Sequence, residues 1–300
     1  MQIQQNTKWY ESLESHRYKG LWDSLESPET RPRRLRNVVE IEYEELEAKA
    51  IAQGQSFVQE IVGNLYAGDF YLVRNTFSKN YLRGLIQKNF EYWKSIPPSF
   101  HKMLDACPDF HVAIDEKESP KYYGGPIKHS YYFYPWNQDP LNLYEPIREK
   151  WRVFKFIGGM EPLQYEQNLP RDGVCDRIQF AHYPTGCGKI DTHEDPYKHV
   201  KPIISVFMSQ RGEDFQKGGV YFVDKNNSKV DVEASVRTGD AGLAYPTVAH
   251  GVDCIDPGEK VDWGSPTGRW WLGMFSNASD AVKDRHTWSK VDIALDAVKN

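Results

Sequence analysis

Two histidines and an aspartate, placed between positions 193 and 250, constrain this chain more than any other feature. His193, Glu194 and Asp195 form an H-x-D triplet. In an extended strand a spacing of two puts His193 and Asp195 on one face and turns Glu194 away. His250 follows a Gly-Asp turn and a mostly apolar run, GDAGLAYPTVAHGV, which reads as a second strand. Of the nine histidines, His193 alone has a carboxylate two residues later, and His16, His101, His111 and His286 read as structural or surface residues. Two imidazoles and one carboxylate on one side of a divalent metal leave its other positions open, the donor set of a non-haem Fe(II) centre.

A third string, GRWWLGMF, supplies Arg269, whose planar fork suits a carboxylate held by two parallel bonds. Gly218-Gly219-Val220-Tyr221-Phe222 gives a G-G-x-x-F strand, Gly239-Asp240 precedes another, and His250 continues as His250-Gly251-Val252. In order and spacing these residues resemble the Fe(II)/2-oxoglutarate-dependent oxygenases with a double-stranded β-helix core. The resemblance implies an α+β fold in one domain: a jelly-roll (cupin-like) core over 177–276, a helical and strand elaboration with a lid over 1–176, and short helices over 277–300. It implies Fe(II), 2-oxoglutarate as cosubstrate and O2, with release of succinate and CO2 as a substrate C–H bond is oxidised. His193, Asp195 and His250 would hold the metal and carry the catalysis. Arg269 would anchor the distal carboxylate of 2-oxoglutarate, and Tyr183, three residues before a glycine, would reach the same molecule. Asp195 stands where the family's halogenases have a small residue, which favours hydroxylation, desaturation or oxidative cyclisation. Arg269 lies beyond a DPGEKVDWGSPT stretch that looks like an inserted loop; Arg237 and Arg285 are the other arginines weighed for its role. Two rival readings stay open: a cupin-like metal isomerase or hydrolase using Zn(II) or Mn(II), and a non-catalytic jelly-roll binding module.

Strand parity extends the site. In RIQFAHYP, Gln179, Ala181 and Tyr183 share one face and Phe180 and His182 the other; on the last strand Arg269, Trp271 and Gly273 share a face. Residues 110–136 have strand-like ends around a Gly-Gly-Pro turn and are rich in tyrosine. They read either as a hairpin feeding the core or as a lid whose Tyr122, Tyr123, Lys128, Tyr131 and Tyr132 meet substrate. Lys128, Arg177 and Lys201 near the expected mouth suggest a small carboxylated metabolite, with Gln179 and Trp271 as further substrate contacts.

The remaining segments are read from local signals. Residues 40–66 predict an amphipathic helix broken at Gly54, 70–77 a strand, and the stretch after Ser78 a capped helix stopped by Pro97-Pro98. Another helix carries Pro146 near its first turn. The basic run Arg31 to Arg36 predicts a strap or solvated arm. A net charge of −5 gives no field for a polyanion, so nucleic acid is not expected as a partner. Four cysteines without a C-x-x-C spacing, and no long apolar run, predict a soluble, intracellular and cytoplasmic chain that spans no membrane. Oligomeric state is not readable.

Overall fold

A computed structural model describes residues 8–13, 15–122, 124–285 and 289–290. In chain order the elements are α1 (Arg17–Leu25), β1 (Val38–Glu42), α2 (Tyr43–Ala52), α3 (Gln55–Tyr66), β2 (Phe70–Arg74), α4 (Lys79–Trp93), β3 (Phe110–Ile114), β4 (Lys128–Phe133) and α5 (Tyr144–Ile157). There follow β5 (Val174–Pro184), β6 (Ile190–Glu194), β7 (Ile203–Phe207), β8 (Gly219–Val223), β9 (Lys229–Asp231), β10 (Ala241–Ala244), β11 (His250–Asp253), β12 (Gly268–Ala278) and β13 (Ser289–Lys290).

The strands form two sheets, ordered β1-β2-β10-β7-β12-β5-β4-β3 and β13-β6-β11-β8-β9. From β5 to β12 the chain passes back and forth between them, so that β10-β7-β12-β5 faces β6-β11-β8-β9. This is the double-stranded β-helix, and it spans 174–278, slightly wider than the predicted core. Its spine is the antiparallel pair β5–β12, registered from Gly268 opposite Pro184 to Ala278 opposite Val174. On the inner side Ala181, Tyr183, Ile190, Phe215, Val252 and Ile255 pack together with Trp271. On the outer side Phe180, Trp270 and Leu272 join the large core beneath the helices.

The helices follow local chemistry. Ser78 caps α4, its hydroxyl accepting from the Tyr81 amide. The break expected at Gly54 falls one residue earlier, at Gln53 in the left-handed conformation (φ 49°), and Gly54 then precedes α3. Residues 38–42, partly assigned to that helix from sequence, instead form a strand parallel to β2, because Val38 to Glu42 pair in register with Phe70 to Arg74. The basic run is a strap: Leu35 donates to the Val223 carbonyl, Arg36 pairs with Asp69, and the Arg31 guanidinium lies over the Tyr197 ring.

Three expectations are corrected. Residues 289–290, placed in terminal helices from sequence, form a strand beside β6, and 291–300 lie outside the described residues. Cys187 and Cys254 are joined in a disulfide across a sequence separation of 67, a pairing that motif spacing does not reveal; Cys107 and Cys175 are free and buried. Tyr131 lies on the outer face of β4, 1% exposed, because alternation along 128–133 sends Lys128 and Tyr132 inward and Tyr131 outward against Trp270. Among the described residues no helix is long and apolar enough to cross a membrane.

A buried ion pair ties α5 to the spine. The Lys155 ammonium meets Asp176 at 2.5 Å, and Asp176 also accepts from Ser276 of β12 at 2.7 Å. Removing one member of such a pair leaves an uncompensated buried charge, so Lys155→Met is expected to cost about 3–5 kcal/mol, read as a lower urea midpoint. On the outer face burial holds His129 down to about 3 and His182 down to about 4, from 6.5. Both are neutral in the folded chain at mild acidity while the unfolded chain takes up protons. Their contribution is therefore complete above pH 6.5 and is lost as the pH falls from there towards 4. Each steepens the decline by up to ~1.4 kcal/mol per pH unit. His182→Gln, which keeps a donor for the Thr267 carbonyl, should flatten the stability-against-pH curve by up to one proton.

Candidate metal centre

The two histidines meet because β6 and β11 are antiparallel neighbours with His250 directly opposite His193. Asp195 lies just past the end of β6, on the face of His193, its amide held by the Pro246 carbonyl. Donor atoms of His193, Asp195 and His250 all lie within 4.8 Å of one another. Nε2 of His193 is 3.8 Å, and Nε2 of His250 3.7 Å, from the Asp195 carboxylate. Two ligands bound at about 2.1 Å can span up to about 4.2 Å, and both imidazole-to-carboxylate distances fall inside that span.

The backbone selects the tautomer. His193 Nδ1 bonds the Asp191 carbonyl and His250 Nδ1 the Val248 carbonyl, each at 2.9 Å. A carbonyl only accepts, so each Nδ1 carries the proton and each Nε2 presents its lone pair to the metal. Burial, then the neighbouring His250, holds His193 down to about 4, which keeps its ring neutral at physiological pH. Glu194 turns to the opposite side, where Arg33 of the strap meets it at 3.4 Å.

On the facing sheet Arg269 lies opposite Tyr183 and Trp271 opposite Ala181, all on the inner face. The Arg269 guanidinium is 5.7 Å from the ring centres of Tyr183 and of Phe207. Burial raises the Tyr183 pKa, so it remains a phenol. Trp271 spreads over Gly273, where a Cβ would come within 2.2 Å of its ring. Arg237 is exposed and Arg285 pairs with Asp280, so neither takes the place of Arg269.

From sequence, a buried Asp or Glu is the alternative to 2-oxoglutarate as the partner of Arg269, and the structure supplies one that the sequence does not single out. Glu233 is fully enclosed, and its Oε2 accepts from Arg269 Nε at 2.7 Å. A usable hint was Gly219 beside Gly218, since a Cβ at 219 would lie 2.3 Å from Glu233 Cγ.

Among the proposed substrate residues, Lys128 and Gln179 reach the inner face. Lys128 Nζ is 6.0 Å from the Tyr183 ring centre. Burial lowers Lys128 to about 8, while the Asp195 charge works the other way. Arg177 stands between the rings of Tyr132 (5.1 Å) and Phe275 (5.5 Å) and donates to Gln179 at 3.1 Å. Its Nε is buried without a hydrogen-bond partner. Tyr122 is exposed at the rim, and Tyr123 lies outside the described residues. Tyr131 is turned away, and Lys201 is drawn off by Glu26 at 2.5 Å and the Trp22 ring. A cavity of about 120 Å³ is lined by Pro196, Lys198, His199, Asn277 and Lys283, and Asp195 is not part of its lining.

No family model matches the sequence, and no curated protein sequence matches it. Similar solved structures include a Pseudomonas putida prolyl-4-hydroxylase (13% identity, 73% of this chain and 98% of that one, TM-score 0.42). Neurospora crassa T7H in complex with alpha-KG and 5-formyluracil shows 14% identity over 80% of this chain and 84% of that one, TM-score 0.48. A 2OG-Fe(II) oxygenase family protein from Caulobacter crescentus shows 10% identity over 79% and 86%, TM-score 0.46. At this distance function has to come from the site's own side chains.

His193→Ala, Asp195→Ala and His250→Ala should each abolish tight binding of a divalent metal while the far-ultraviolet circular dichroism stays that of the parent. Elemental analysis after gel filtration is the check. A variant that keeps one full metal equivalent removes its residue from the centre.

Proposed function

We propose that this chain is an Fe(II)- and 2-oxoglutarate-dependent dioxygenase that oxidises a C–H bond of a small carboxylated metabolite, with release of succinate and CO2. The observation that carries this reading is a three-ligand centre facing a buried arginine inside one β-helix. Bound iron supplies open coordination positions for the cosubstrate and O2. The residues present fit both groups: two imidazoles with Nε2 turned inward and a carboxylate for the metal, and a guanidinium whose bond to Glu233 uses Nε and does not involve its two Nη groups.

The chain's own residues divide the remaining work. Arg269 grips the distal carboxylate of the cosubstrate, and the Tyr183 phenol donates to the same molecule. Trp271 and the apolar cluster around it keep water from that end of the barrel. Farther along β5, Arg177 stands between two rings and its Nε has no hydrogen-bond partner among the described residues, while Lys128 lies beside Tyr183 and makes no ion pair among the described residues. Two cations presented to one interior face favour an anionic group on the substrate. Hydroxylation, desaturation and oxidative cyclisation all remain within this chemistry.

The test is O2-dependent conversion of 2-oxoglutarate to succinate, with a panel of amino-acid derivatives and other small carboxylic acids screened by mass spectrometry. One succinate per oxidised product is expected. Turnover of a substrate without succinate would favour the metal isomerase or hydrolase. Arg177→Met should raise the KM of the accepted acid by roughly 30-fold or more, as loss of a charge-assisted partner implies, with substrate-free 2-oxoglutarate consumption unchanged.

A further inference from the structure

Glu233 does more than balance a charge. It belongs to a short 3-10 turn, Glu233–Ser235, next to the small sheet, yet its carboxylate reaches Arg269 on the large one. Oε2 accepts twice, from Arg269 Nε and from the Val220 amide, each at 2.7 Å. The path is open because residue 219 is glycine, with φ +121° and no room for a Cβ. A guanidinium can hold a carboxylate side-on, through Nε and one Nη, or end-on, through both Nη groups. The contact with Glu233 occupies Nε.

We propose that Glu233 is a positioning residue for the cosubstrate: by occupying Arg269 Nε it fixes the plane of the guanidinium, so that the distal carboxylate of 2-oxoglutarate is taken end-on by the two Nη groups. Oε2, anchored by the Val220 amide, prevents the arginine from rotating to offer its side edge. Gly219 is required by the same arrangement, as the opening through which Glu233 passes. The proposal rests on the reading of Arg269 as the 2-oxoglutarate anchor.

Two neutral replacements separate orientation from charge. Glu233→Gln keeps an acceptor for Nε, whereas Glu233→Met has nearly the same length and offers none; both remove the negative charge. With Zn(II) in place of iron, 2-oxoglutarate affinity is measured by isothermal titration calorimetry. The Met variant should bind at least about tenfold more weakly than the Gln variant, with equal metal content. Equal affinity in the two, or tighter binding by Met, overturns the role of Glu233. A wild-type chain that binds zinc but not 2-oxoglutarate instead overturns the reading of Arg269. Should the Met variant fail to fold, nitrogen-15 spectra of the wild-type chain decide. The Arg269 Nε–H signal, assigned by its absence in Arg269→Lys, should be protected from exchange and stay in place as 2-oxoglutarate is added. Rapid exchange, or a large shift on binding, overturns the proposal.

Discussion

Everything in the interior depends on the register of β5 against β12. Their antiparallel ladder decides which side chains face the small sheet, and side-chain direction alternates strictly along each strand. A slip of β12 by one residue would turn Arg269 and Trp271 outward and bring Trp270 into the barrel. The register is held from both sides. Inside, Trp271 packs on Ala181, Tyr183 and Ile190. Outside, Trp270 stacks on His182 at 4.5 Å, and beneath them Lys155 clamps Asp176, which Ser276 also reaches. The polar network costs desolvation, but it is satisfied only in one alignment, and that is its structural use.

Residues whose placement follows from short-range spacing were legible in the sequence. The shared face of His193 and Asp195 needs only the two-residue strand period, the inward facing of Tyr183 and Arg269 only alternation, and the cap at Ser78 only its own side chain. What stayed hidden is set by distant pairing. Lys201 lies close to the triplet along the chain, but Glu26, 175 residues upstream, draws it outward. Tyr131 looked like its neighbours in a tyrosine-rich hairpin. Its direction is fixed by β4 lying against β5, where His129 pairs with His182. Glu233 sits in a short polar stretch that resembles any surface turn, and only the space beside Gly219 betrays where its carboxylate goes.

The two ends of the barrel differ in how they handle charge. Around Arg269 the cation is matched by Glu233 within a fully enclosed contact. Around Arg177 positive charge faces the interior between the rings of Tyr132 and Phe275. The first arrangement favours a fixed orientation, and the second leaves the cation facing the interior between two rings.

The strap of residues 31–36 bears on how this chain can be divided. Leu35 adds a bridge to the small sheet at Asp224, Arg36 holds Asp69 just before β2, and Arg33 touches Glu194 on the back of the metal strand. One short segment thus spans both layers near the histidines. The β-helix cut out by its own strand boundaries would lose a brace that it does not encode. A piece of the chain that keeps this brace therefore begins before Arg31, far upstream of His193, Asp195 and His250.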